Sequence, residues 1–139
     1  MNASELKFPV IAITSQSSVE ADKNVNNLTT TTSLALRKGF FKGLKIIDSQ
    51  GKEFIVTDVK KIRRLSKLWQ ILWLFNPLIQ VSIDLKETGR TYNVEEVRRL
   101  VLFDFEDWDG WQSRDDFDQL KSAVENAKSV NEIISLIAY

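Results

Sequence analysis

Cysteine and histidine are both absent from this chain of 139 residues. Their absence excludes disulfide bonds, thiol nucleophiles, zinc sites built from Cys and His, and catalytic triads that depend on His. It also removes the side chain that most often transfers protons near neutral pH. Glycine is scarce, and none of the five glycines has the spacing of a phosphate-binding loop. We therefore expect a protein that is not an enzyme and that binds no cofactor or metal.

The chain also lacks a long apolar run and a net charge. The most apolar stretch, residues 68–83, is interrupted by Gln, Asn, Pro and Ser, and it is too short to cross a bilayer. The apolar stretch near the start is short and follows no basic leader, so no targeting segment is recognisable. A formal net charge of zero gives no overall attraction to nucleic acid or anionic lipid. We expect a soluble, cytoplasmic protein that forms a single domain.

The apolar pattern predicts an α+β fold with a small antiparallel sheet. A β-hairpin is expected over residues 41–59, because two apolar segments flank a polar turn that contains Gly51. A further strand is expected near residues 78–85, where apolar residues alternate, and a turn should follow at residues 87–90. Residues 15–33 are rich in Ser, Asn and Thr, which predicts a polar loop or tether.

Capping patterns predict helices in the C-terminal part of the chain. Asn93 is suited to cap the first helix, although a strand across residues 100–105 is an alternative. Ser113 is suited to cap a second helix, and Ser129 with Glu132 has the spacing of a capping box that opens a third. Strands followed by helices are typical of an α+β fold, with the helices packed on the sheet.

Residues 100–111, which we call the acidic aromatic segment, are the first candidate site. Residues 104–118 contain seven Asp and Glu against one Arg, a local charge of −6. Trp is enriched in binding hot spots, and charge complementarity favours a basic partner. The pattern therefore predicts a loop that binds a basic protein through Asp104, Glu106, Asp107, Trp108, Asp109 and Trp111. The alternative is a solvated helix end whose Trp rings fold back onto the core.

A basic segment is the second candidate site. Residues 34–68 contain ten Lys and Arg against three Asp and Glu, a local charge of +7. The Lys and Arg side chains that would form this second site, an alternative to the acidic aromatic segment, are Lys60, Lys61, Arg63, Arg64 and Lys67. Together with Trp69, Trp73 and Phe75 they suggest a surface that binds nucleic acid or an anionic membrane, although the zero net charge makes nucleic acid the weaker candidate. A solvated basic stretch before a core segment is the plainer interpretation, and exposed aromatics here would favour a homodimer.

Two segments carry a resemblance to known proteins. Residues 39–51 (GFFKGLKIIDSQG) and residues 111–120 (WQSRDDFDQL) resemble small uncharacterised bacterial proteins, some of which are immunity partners of secreted toxins. The resemblance implies a cytoplasmic protein without catalysis that neutralises a basic toxin, and it transfers no individual functional residue. A carboxylate-based hydrolase is the third function class, and it requires two acids that face one cleft.

Overall fold

The computed structural model describes residues 1–15, 17–64 and 78–138, except for the side chain of residue 64. The strands are β1 (Val10–Ile13), β2 (Val19–Asp22), β3 (Thr30–Thr32), β4 (Lys45–Ile47), β5 (Lys52–Arg64) and β6 (Leu78–Thr91). The helices are α1 (Val25–Thr29), α2 (Ser33–Arg37), α3 (Val94–Asp107), α4 (Asp109–Gln112), α5 (Phe117–Asn126) and α6 (Val130–Ile137), with a 3-10 turn at Ala3–Glu5. Among these, no helix has both the length and the apolar character needed to cross a bilayer.

The strands form one curled antiparallel sheet in the order β2-β1-β4-β5-β6-β3. The two edge strands, β2 and β3, line a common cavity of about 220 Å³, which shows how far the sheet curls. The expected α+β fold is confirmed, as are the hairpin within residues 41–59 and the strand near residues 78–85. Both strands of the β5–β6 pair extend well beyond the predicted bounds.

The sheet separates two apolar cores, because successive side chains of a strand point to opposite faces. Val10, Ala12 and Ile46 are buried inside the curl. Ile11 and Ile47, their neighbours in sequence, are buried on the outer face against α3, α5 and α6. The C-terminal helices thus cover the outer face of the sheet.

The prediction of a loop or tether for residues 15–33 differs from the structure. This segment contains β2, α1, β3 and the start of α2. The polar residues that indicated a loop cap short helices instead: Asn24 accepts a hydrogen bond from the backbone N–H of Asn27 at 2.9 Å. Thr32 does the same for the N–H of Ala35 at 3.2 Å. β2 pairs with the neighbouring β1, and β3 pairs with β6, a contact distant in sequence that local patterns do not reveal.

The predicted turn at residues 87–90 is wrong, because β6 continues through it as a bulge. Phe54 lies opposite residue 87 and Lys52 opposite residue 91, so three residues of β6 face Glu53 alone. Gly89 has a φ of +85°, and this conformation, which glycine adopts readily, forms part of the bulge rather than part of a turn. The Thr88 hydroxyl donates to the buried Glu53 carboxylate at 2.9 Å, which ties the bulge to β5.

The helix capped by Asn93 is confirmed, and the alternative strand across residues 100–105 is wrong. Asn93 accepts a hydrogen bond from the Glu96 N–H at 2.9 Å, and Glu96 accepts one from the Asn93 N–H at 3.2 Å. Ser113, by contrast, does not start α5, which begins at Phe117. Its backbone N–H donates to Asp109 O at 3.1 Å, so it closes α4 instead.

Candidate protein interface

The acidic aromatic segment is helical over most of its length rather than a loop. Helix α3 runs to Asp107, Trp108 has an extended backbone, and α4 starts at Asp109. The N–H of Trp108 donates to Asp104 O at 3.0 Å, which closes the last turn of α3. The segment therefore presents its side chains from a helix end and a short following helix, at fixed positions.

Two of the predicted contact residues are buried. Asp104 is 4% exposed and Trp111 is 6% exposed. The indole Nε1–H of Trp111 donates to Asp104 Oδ2 at 2.8 Å, and the backbone N–H of Val19 donates to Asp104 Oδ1 at 3.3 Å. This carboxylate joins α3, α4 and the edge strand β2. Its main role, like that of Trp111, is internal, because both side chains are almost entirely buried.

The other four predicted residues are exposed: Glu106, Asp107, Trp108 and Asp109. Trp108 is the most prominent, with 59% of its surface accessible. Its ring lies edge-on to the Trp111 ring with a centroid separation of 5.9 Å. It also covers Gly110, where a Cβ atom would come within 2.4 Å of Trp108 Cζ2. The exposed indole is thus supported from below, although nothing described covers its outer side.

A groove of about 300 Å³ lies between Trp108 and the edge strand β2. Its walls are the four residues of β2 together with Trp108, Trp111 and Ile137. Ile137 is the last residue of α6, so the groove is formed where the end of α3, α4 and α6 meet the edge of the sheet. Apolar side chains and the backbone of β2 therefore form one surface beside the exposed indole.

Two further carboxylates, Glu20 and Asp22, lie on the other face of β2. Both line the cavity shared with β3, next to Thr30 and Thr31. Glu20 is exposed overall, yet partial desolvation of its carboxyl raises the pKa of this group, and the charge of Asp104 adds to the shift. Burial, together with the charge of Glu20, raises the pKa of Asp22 to about 6. Two acids facing one cavity are the arrangement that the hydrolase hypothesis required.

Sequence reasoning missed Glu20 and Asp22 because they fall in the stretch interpreted as a tether. One signal was available: residues 19–22 alternate apolar and acidic, which is the pattern of a half-buried strand. Phe103 was also missed. It is 61% exposed on α3 and lines a separate shallow depression with Tyr92 and Leu100.

Asp22→Asn is expected to stabilise the fold by about 1 kcal/mol near pH 7 and to change it little near pH 4. The raised pKa means that the native state binds this proton more tightly than the unfolded chain, whose value is near 3.8. Stability is therefore lost as pH rises from about 4 through about 6, and an uncharged amide avoids that loss. Partial exposure of the side chain reduces the effect below the full shift. Urea unfolding at both pH values measures it, and equal changes at the two would contradict the assignment.

The predicted basic site is only partly described. Lys60, Lys61 and Arg63 are exposed on β5. The backbone of Arg64 ends this strand, and the remaining predicted residues, namely Lys67, Trp69, Trp73 and Phe75, lie outside the described residues. The surface predicted for a homodimer therefore lies outside them as well.

The described lysines have a plain structural explanation. Beyond Val56, no described strand pairs with β5 on the side away from β6. Charged residues on an open strand edge discourage pairing with other molecules. Lys60 Nζ also lies 3.8 Å from Asp58 Oδ2, which compensates part of the positive charge, and Arg63 Nε donates to Gln80 Oε1 at 2.8 Å.

Comparisons with known proteins add no family to this description. No protein-family model matches the chain, and neither a curated protein nor a solved structure is significantly similar to it.

Proposed function

We propose that this protein is a non-catalytic binding module that holds a basic protein against the surface around Trp108. The observation that carries the proposal is an indole with 59% of its surface accessible, supported by Trp111 and Gly110. A rigid aromatic side chain contributes a large contact area at low entropic cost, which is why Trp is enriched among hot spots. Burial of this indole by a partner would remove an apolar surface from water.

The charges around Trp108 favour a basic partner. Glu106, Asp107 and Asp109 are exposed within three residues of the indole. Such a surface accelerates encounter with a basic protein and disfavours acidic ones. A narrower form of the proposal is an immunity-type protein that neutralises a basic toxin, because a nuclease-type toxin needs a positive channel for its substrate.

Charge reversal in Asp107→Lys/Asp109→Lys is expected to abolish capture of a basic partner by the immobilised protein. Trp108→Ala should weaken the same complex by about thirtyfold, the effect of removing a hot-spot residue. The matched control is Asp58→Lys/Glu87→Lys, which makes the same change of charge at exposed positions on β5 and β6. Circular dichroism verifies that each variant is folded.

The outcomes separate the proposal from general electrostatics. Retention of the partner by the control and its loss by the first variant support a local site. Equal retention by both charge variants and by Trp108→Ala would refute the proposal.

The alternative function, binding to nucleic acid or an anionic membrane, is supported by exposed Lys60, Lys61 and Arg63. It is tested in a parallel experiment in which duplex DNA or anionic vesicles are immobilised and the protein is applied to them. This alternative requires salt-sensitive retention that Lys60→Glu/Lys61→Glu removes. An absence of retention at low salt would exclude it.

A further inference from the structure

The groove beside Trp108 borders an open edge of the sheet. Strand β2 pairs with β1 on one side, and no described strand pairs with it on the other. An open edge presents backbone donors and acceptors that an extended peptide can use. The end of α3 covers part of this edge, because Asp104 accepts the N–H of Val19.

The hydrogen-bond pattern identifies the groups that remain available. In an antiparallel pair, the residues of one strand direct their backbone groups alternately toward and away from the partner strand. Ser18 O accepts a hydrogen bond from the N–H of Thr14 at 3.0 Å, so the backbone groups of residue 18 point toward β1. The backbone N–H and C=O of Val19 point away from β1, as the bond from this N–H to Asp104 confirms. Two residues further on, Ala21 likewise directs its N–H and C=O away from β1, on the side of the groove.

The side chains of β2 give the two faces of this edge different chemistry. Val19 is buried with the outer core and Ala21 packs against it, on the side of Trp108 and Ile137. Glu20 and Asp22 lie on the opposite face and line the cavity toward β3. A strand placed beside β2 would therefore meet apolar groups on one face and carboxylates on the other.

We propose that the partner contributes an extended segment, alternating basic and apolar residues, that adds to the sheet as a strand beside β2. This inference rests on the proposed function and specifies how the partner is held. The backbone of the segment bonds Ala21, its apolar side chains contact Trp108 and Ile137, and its Lys or Arg side chains reach Glu20 and Asp22. The period of two along a strand requires this alternation. Charge complementarity with the two carboxylates selects basic residues over acidic ones.

The test measures binding of a capped hexapeptide of alternating lysine and valine to the full chain by isothermal titration calorimetry. An isomeric peptide with three lysines followed by three valines has the same charge and composition. Tighter binding of the alternating peptide is expected, because only it places the two kinds of side chain on opposite faces. Equal binding of the isomers would overturn the proposal.

Ala21→Pro tests the backbone bond directly. Proline removes the outward N–H and leaves the bonds to β1 intact, which is the arrangement tolerated on edge strands. It should weaken binding of the alternating peptide by about fivefold or more, the effect of one lost hydrogen bond. Ala21→Ser keeps the N–H and is the matched control, expected to bind within about twofold of the original protein. Unchanged affinity in a folded Ala21→Pro variant would overturn the proposal.

A second measurement keeps the proposal testable if Ala21→Pro does not fold. N-methylation of alternate peptide bonds in the probe should then abolish its binding to the unaltered protein, and undiminished binding of every N-methylated probe would overturn strand addition.

The outcomes for the proposed function and for strand addition can be told apart. Loss of the basic protein on Trp108→Ala, with no effect of Ala21→Pro on protein or peptide, leaves the proposed function and removes strand addition. Loss of peptide on Ala21→Pro, with protein capture insensitive to the Trp108 and charge variants, supports backbone pairing beside β2 and refutes the Trp108 surface, including the contact of the added strand with Trp108.

Discussion

Trp111→Ala is expected to lower the free energy of unfolding by about 3–5 kcal/mol, whereas Trp108→Ala should lower it by less than about 1 kcal/mol. Trp111 is 6% exposed and packs against Phe105 with a ring separation of 4.9 Å, so its removal leaves a cavity in the outer core. Trp108 is 59% exposed, and its truncation removes little buried area. Urea unfolding of the two variants under the same conditions measures the difference.

The same pair of variants should show the opposite order in binding. Trp108→Ala removes the exposed contact for a partner, while Trp111, at 6% exposed, offers a partner very little surface. Trp111→Phe separates packing from hydrogen bonding, because it keeps most of the apolar volume but loses the bond from Nε1 to Asp104. Similar stability losses from the Trp108 and Trp111 variants would contradict the assignment of separate roles.

Asp104→Ala is expected to lower the free energy of unfolding by about 2–4 kcal/mol. The substitution leaves two donors in a buried environment without an acceptor, namely the N–H of Val19 and the Nε1–H of Trp111. An unsatisfied buried donor costs more than the net contribution of the bond itself, because the group has already lost its water. The effect should appear in chemical unfolding and as faster amide exchange in β2.

Asp107→Ala is the matched control, since it removes an exposed carboxylate three residues along the same helix. It should change stability by less than about 0.5 kcal/mol. Asp104→Asn keeps the shape but presents an NH₂ group to one of the two donors, so a loss close to that of Asp104→Ala is expected. A stability for Asp104→Ala equal to that of Asp107→Ala would contradict the bridge between α3, α4 and β2.

Local signals in the sequence were sufficient for much of the fold. The turn around Gly51 and the flanking apolar segments predicted the β4–β5 hairpin, because a positive φ and alternating burial are local requirements. Asn93 and Ser129 both cap the helices they were expected to cap, since a cap is satisfied within three residues of chain. The longest wrongly predicted stretch is residues 15–33, where β3 pairs with a strand far along the chain, so that Thr30 lies opposite Gln80.

The candidate interface was likewise predictable from the sequence only in part. Clustering of carboxylates and indoles was evident from residues 104–111, but the exposure of each side chain was not. Asp104 and Asp107 are chemically identical and three residues apart, yet one is buried and the other exposed. The difference depends on where α3 meets β2, a contact between residues 85 positions apart.

Residue identity and short spacing were enough to establish the absence of thiol and imidazole chemistry, the separation of charge along the chain, and the helix caps at Asn93 and Ser129. The folded chain was needed to show that Trp111 is internal and Trp108 exposed, and that Glu20 and Asp22 share an edge strand beside them. Burial and strand pairing are properties of surfaces that folding brings together, whereas a period in the sequence indicates which residues share a face but not what that face contacts.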